Sequence, residues 1–125
     1  MDDSLVRGTS SRAIIKALRK GGARKISLVI TYPPIKFPCF AGIDFPSQEE
    51  LATYTDGKDY SDEQIIEKVR NDIGADFLGY NDPENLARAI GIPIDSMCFT
   101  CTTGNYSSLG IKPIFKTLAQ LEGSK

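Results

Sequence analysis

Apolar residues recur along this chain first at helical and then at strand spacing. From Ser11, the residues Ala13, Ile14, Ala17 and Leu18 fall on one helical face, and Gly21-Gly22 after Lys20 offers a residue free to take a left-handed stop. Lys25 to Thr31 is a short β-branched run closed by Tyr32-Pro33-Pro34, the pattern of a buried strand entering a loop. A helix followed so soon by such a strand predicts a crossover unit on a parallel sheet. The segment from Tyr32 to Pro46 carries four prolines and one glycine, which predicts a long ordered loop. Ser47 and Glu50 have capping-box spacing and predict a short helix through Tyr54, with turn chemistry over 55–59. Ser61 and Gln64 repeat the box ahead of Ile65, Ile66, Val69 and Ile73, and Gly74 ends that helix. Asp76 to Tyr80 reads as a short strand, and Asp82-Pro83 sets a cap and first-turn proline for a helix ending near Gly91. Beyond Ile92-Pro93 the chain reads as irregular through Cys98, Cys101 and Gly104, then amphipathic from Pro113 to Leu121. The whole is an α/β pattern, parallel crossover units followed by a helical and irregular C-terminal region.

Length sharpens this to one domain, since 125 residues can bury a single core but not two. A net charge of −1 gives no electrostatic reason to expect nucleic acid or an anionic membrane as partner. No apolar stretch approaches the roughly 20 residues of a membrane span, and the acidic N-terminus is unlike a signal peptide, so a cytoplasmic location is expected. The sequence has no histidine, which removes Ser-His-Asp and Cys-His catalysis and any His-ligated metal from what the chain does unaided.

Candidate chemistry concentrates in the opening residues Asp2-Asp3-Ser4-Leu5-Val6-Arg7-Gly8-Thr9-Ser10-Ser11. They stand just ahead of a helix, whose first N–H groups are unpaired donors. A glycine lets the backbone approach a ligand, and Thr9 and Ser10 add hydroxyls, so the loop suits a phosphate. Asp2 and Asp3 cannot bind that same phosphate; they suit sugar hydroxyls or a magnesium ion. An acid pair for a diol beside an amide-rich loop for a phosphate describes a ribose 5-phosphate held at both ends. The plainer reading is a solubilising acidic terminus with Ser10 or Ser11 as helix cap.

The three cysteines are an odd number in a chain without a secretory signal, so reduced thiols or metal ligands are expected rather than a disulfide framework. Cys98 and Cys101 are spaced to reach one metal, and Cys39 in the proline-rich loop could supply a third thiolate. Small buried hydrophobes would use the same residues.

Asp2 to Ser10 resembles the phosphoribosyl pyrophosphate (PRPP) signature of type I phosphoribosyltransferases, in the version found in amidophosphoribosyltransferases. Ser11 to Ile15, Tyr32 to Leu51, Ile73 to Tyr80 and Cys98 to Tyr106 resemble the C-terminal part of those enzymes in order. Ser10 replaces the usual threonine, and Ser107 stands where a proline often follows the tyrosine.

The resemblance implies an incomplete type I phosphoribosyltransferase-like fold, a single partial domain over 1–125 with the PRPP loop at 2–11 and cysteine-bearing loops at 32–46 and 96–106. It places Asp2 and Asp3 on the ribose hydroxyls and magnesium, and Ser4, Leu5, Val6, Arg7, Gly8, Thr9 and Ser10 around the 5-phosphate. It implies that Cys39, Cys98 and Cys101 belong to a four-iron, four-sulfur site whose fourth ligand lies outside this chain, or to a site that is empty or holds zinc. It further implies formation of 5-phosphoribosylamine from PRPP, glutamine and water in purine biosynthesis, dependence on an N-terminal glutaminase and upstream strands, and a homo-oligomer when complete. On this reading the chain begins mid-domain and is inactive alone. The alternative expectation is a non-catalytic PRPP- or nucleotide-binding regulatory module.

Overall fold

A computed structural model describes residues 1–42 and 45–110. The amphipathic stretch expected over 113–121 lies outside the described residues. The elements in order are α1 (Thr9–Lys20), β1 (Ser27–Ile30), α2 (Asp62–Ile73), β2 (Phe77–Tyr80), α3 (Pro83–Ile90) and the single turn α4 (Thr100–Thr103). Short 3-10 turns stand at Gln48–Glu50, Ile94–Ser96 and Ser107–Leu109.

β1 and β2 pair in parallel, Ser27 opposite Phe77 and Ile30 opposite Tyr80, with α2 in the connection between them. Asp2 forms a parallel bridge to Ile30. Val29 and Thr31 turn their backbone groups to Asp2, while the Ile30 carbonyl accepts from Asn81, so the Asp2 segment and β2 flank β1 on opposite edges. Two crossovers thus share β1, one through α1 and one through α2. The α/β class with parallel crossover units stands as the residue pattern reads it.

The core is Leu5, Ile15, Ile26, Ile30, Ile65, Val69, Ile73, Ala75 and Leu78. Strand alternation turns Leu28, Ile30, Leu78 and Tyr80 toward it, and leaves Val29 and Phe77 exposed on the opposite face. Each fully buried aliphatic side chain in such a core contributes about 1.5–3 kcal/mol through removal from water. The helix ends follow their chemistry. Ser61 accepts from Gln64 N–H while the Gln64 side chain accepts from Ser61 N–H, and Gly74 closes α2 in the left-handed conformation at φ 81°. Asp82 caps α3 ahead of Pro83.

Two expected details differ. α1 begins at Thr9 rather than Ser11, and it buries Ser11 and Ile15. Ile14 and Leu18, on the face read as apolar, are exposed. The inward side is set by tertiary contacts: Arg12 Nε donates to the Asp72 carbonyl at 3.0 Å, and Arg19 Nη2 meets Asp76 Oδ2 at 2.6 Å. Likewise the capping box at Ser47 forms, but only a 3-10 turn follows it. Leu51 is extended and buried, and Ala52 N–H donates to the Val6 carbonyl at 2.8 Å instead of continuing a helix toward Tyr54. Around Cys98, the stretch read as irregular contains the turn α4.

Candidate functional site

The acid pair is fixed by its own main chain. Asp2 N–H donates to the Val29 carbonyl at 2.9 Å, and its carbonyl accepts from Thr31 N–H at 3.0 Å. The Asp3 carbonyl accepts from Tyr32 N–H at 2.9 Å and from the Thr31 hydroxyl at 3.1 Å. Both carboxylates therefore stand at the carboxyl end of β1, where parallel α/β sheets place their ligand crevice. Each is turned toward the following amide: Asp2 Oδ1 accepts from Asp3 N–H at 2.9 Å, and Asp3 Oδ1 from Ser4 N–H at 2.7 Å. A carboxylate so engaged keeps further acceptor capacity for a hydroxyl or a cation.

The chain then dips into the core at Leu5 and returns at Gly8, which caps α1 with φ 77°. A Cβ there would lie 3.3 Å from Ile73 Cγ2, so glycine answers both the left-handed backbone and the close approach of α2. The first helical bond runs from Arg12 N–H to the Gly8 carbonyl at 2.9 Å. The amides of Thr9, Ser10 and Ser11 precede it and form the open donor end of the helix. No side chain caps this end and its first turn holds no acid, whereas Ser61 caps α2 and Asp82 caps α3.

These features meet in one cleft of about 530 Å³, lined by residues 2–11 and Ile14. Every residue from Asp2 to Ser10 singled out in the sequence thus lines one cleft, which both the acid pair and the start of α1 border. Asp3 and Ser4 also border a neighbouring cleft of about 430 Å³ with Thr31, Tyr32, Leu86, Ile90 and Met97. Arg7 lines the first cleft and its Nε stands 3.6 Å from Glu50 Oε1.

The cysteines form a second grouping. Cys98 is exposed, and Cys39 and Cys101 are half-buried. Tyr32 ties the region to β1: its hydroxyl donates to the Cys98 carbonyl at 3.0 Å and lies 3.6 Å from Cys101 Sγ. The Cys101 carbonyl accepts from both Lys36 and Phe37 N–H at 2.8 Å, and the Tyr106 hydroxyl donates to the Pro38 carbonyl at 2.6 Å. These bonds bring the loop of Cys39 to α4. Burial pushes the Cys101 thiol up, and the Cys39 and Cys98 thiols add to the rise. Hydrogen bonding from Thr100 instead lowers Cys98. Yet among the described residues no group of three or more His, Cys, Asp or Glu is placed to hold a metal ion.

Sequence reasoning missed the residues that brace these groups. Glu50 and Ala52 hold the opening loop from a segment read as an independent helix, and Tyr32 and Tyr106 organise the cysteines. The capping-box spacing at Ser47 was a signal for Glu50, but it points to a helix start and says nothing of Arg7.

No family model matches the chain. Among curated proteins, the amidophosphoribosyltransferase of Mycobacterium leprae is 42% identical over 106 residues, which is 85% of this chain and 18% of that protein. That of Bacillus subtilis is 40% identical over 110 residues, 85% of this chain and 21% of that protein. In structure, the B. subtilis glutamine PRPP amidotransferase complexed with ADP and GMP superposes with a TM-score of 0.67 at 40% identity, covering 85% of this chain and 23% of that one. A structure described as the allosteric regulatory enzyme of purine biosynthesis gives a TM-score of 0.68 at 39% identity, covering 84% and 22%. Among the described residues no helix is long and apolar enough to cross a membrane. The chain is thus homologous, over 85% of its own length, to a segment that makes up about a fifth of the amidophosphoribosyltransferases.

Proposed function

We propose that this chain is the PRPP-binding C-terminal segment of an amidophosphoribosyltransferase acting in purine biosynthesis, with Asp2 and Asp3 on the ribose hydroxyls and residues 4–10 around the 5-phosphate. The observation that supports it most is the convergence of two opposite chemistries on one cleft: a pair of carboxylates at the sheet end, and the uncapped donor end of α1. A ribose 5-phosphate needs acceptors for its diol and donors for its phosphate, and the cleft offers them in that order.

The reaction assigned to the whole enzyme is displacement of pyrophosphate from the anomeric carbon of PRPP by ammonia, released from glutamine in an N-terminal glutaminase portion. In that scheme this segment contributes positioning. Main-chain amides fix the phosphate, the acids fix the diol, and the sugar is held with its anomeric carbon presented to the nucleophile. Asp2 and Asp3 also fit a magnesium ion, which takes one or two carboxylates and completes its shell with substrate oxygens and water. Bound there, the ion would neutralise charge on the departing pyrophosphate.

Cys39, Cys98 and Cys101 do not fit a complete cluster in the same way. Three thiols are one short of the four ligands of a four-iron, four-sulfur site, so a complete cluster would need a ligand from outside the described residues.

Calorimetric titration with PRPP and magnesium tests the assignment. The chain is expected to bind, weakly, and the Asp2→Asn, Asp3→Asn double variant to lose about tenfold or more, the cost of removing charge-assisted bonds. Asparagine retains an acceptor for the following amide, so the loop keeps its shape. Absence of heat from the parent chain, or equal affinity of the variant, contradicts the proposal.

A further inference from the structure

Arg7 occupies an unusual place in the opening loop. Its neighbours on either side are fixed, Val6 by the 2.8 Å bond from Ala52 N–H to its carbonyl and Gly8 by close packing on Ile73 and Ala52. The backbone of Arg7 is therefore anchored, and only its side chain has freedom. That side chain meets Glu50, a carboxylate anchored through its other oxygen. Glu50 Oε2 accepts from Ser47 N–H at 2.9 Å as the far half of the capping box, while Oε1 faces Arg7 Nε at 3.6 Å. The nearest approach is through Nε, and Arg7 also lines the cleft, so its five-donor guanidinium has donors to offer there beyond the one that faces Glu50.

We infer that Glu50 is a positioning residue for Arg7, holding its Nε edge so that the terminal nitrogens are presented to the phosphate bound at the start of α1. The inference rests on the phosphate reading of residues 4–10. The capping box and the ion pair are one device. Ser47 fixes where Glu50 points, and Glu50 fixes where Arg7 points. The 3-10 turn that the sequence presents as the start of a helix serves as a brace for the neighbouring loop. Lys68 strengthens that brace, since its Nζ donates to the Ala52 carbonyl at 3.3 Å while also pairing with Asp72 at 2.8 Å.

Glu50→Gln separates this role from a structural one. Glutamine keeps the capping box, as Gln64 demonstrates opposite Ser61 in α2, but removes the charge that orients the guanidinium. The probe is ribose 5-phosphate, titrated against the full chain. Glu50→Gln is expected to weaken it by about three- to fivefold, the range of an exposed ion pair, with the thermal midpoint unchanged. In an Arg7→Gln background the same change is expected to have no effect, a coupling that a purely structural contribution of Glu50 would not show. Equal affinity of Glu50→Gln and the parent chain, tighter binding by the variant, or an undiminished effect in the Arg7→Gln background overturns the inference while leaving the phosphate reading intact. If the parent chain fails to bind ribose 5-phosphate at all, both fall.

Discussion

Residues 2–11 take their shape from main-chain bonds, whereas the region around Cys39, Cys98 and Cys101 relies heavily on rings and hydroxyls. In the first, Asp2 and Asp3 are laced to β1, Val6 to Ala52, and Gly8 turns the chain into α1. In the second, Tyr32 stacks on Phe99 with ring centres 5.9 Å apart, Tyr106 packs on Phe40 at 5.2 Å, and the tyrosine hydroxyls bridge to the Cys98 and Pro38 carbonyls. The difference is instructive for function. A site shaped by its backbone can exchange side chains and alter only its chemistry. A site shaped by side chains loses its shape with them.

The largest expected effect comes from removing a ring on which the cysteine region rests. Tyr106 is 2% exposed, and Tyr106→Ala is expected to cost about 3–5 kcal/mol in denaturant unfolding, the range for large aromatic truncations in a core. A cost below ~1 kcal/mol would show that the region is held otherwise. In the opening loop the comparable break is at the backbone. Gly8→Ala places a Cβ 3.3 Å from Ile73 Cγ2 at φ 77° and is expected to cost about 1–2 kcal/mol and to abolish phosphate-ester binding.

Cys98 is exposed and its thiol lowered by Thr100, while Cys101 is half-buried with its thiol raised. Alkylation followed by mass spectrometry is expected to label Cys98 first by about an order of magnitude. Equal rates would contradict the asymmetry.

The smallest effect is expected at the seam between α1 and the sheet. The Ile26 amide, and after it Arg19, hold the Asp76 carboxyl below its usual range. A carboxylate depressed in the folded state contributes stability above its unfolded value, about 3.9, and loses it as pH falls through the lower folded value. Asp76→Asn is therefore expected to flatten the acid limb of the stability curve below about pH 4 and to leave the curve's shape near pH 7 unchanged. An unaltered acid limb would remove Asp76 from that seam.

What the residue pattern reveals follows the same division. The boxes at Ser61 and Asp82, the glycine stops and the strand at β1 are local signals, and they appear close to where local chemistry sets them. The opening loop is legible for a related reason: Asp2 to Ser11 are contiguous, so one short stretch carries both halves of the site. The inward side of α1 is not legible, because Arg12 and Arg19 find their partners 60 and 57 positions away. Nor is the arrest of the helix after Glu50, where Ala52 leaves the local pattern to bond Val6. The thiol neighbourhood depends on Tyr32 and Tyr106 reaching 66 and 68 positions along the chain, which the spacing of the cysteines does not reveal.

An amide chemical-shift titration of the full chain with PRPP in the presence of magnesium detects weak binding and locates it, and so tests the phosphate loop at the start of α1 directly. The largest shifts are expected at the amides of Arg7 to Ser11, with smaller ones at Asp3 and Ser4 and little change at Cys98 and Cys101. Shifts centred on the cysteine region, or no saturable shift at the start of α1, would contradict this placement.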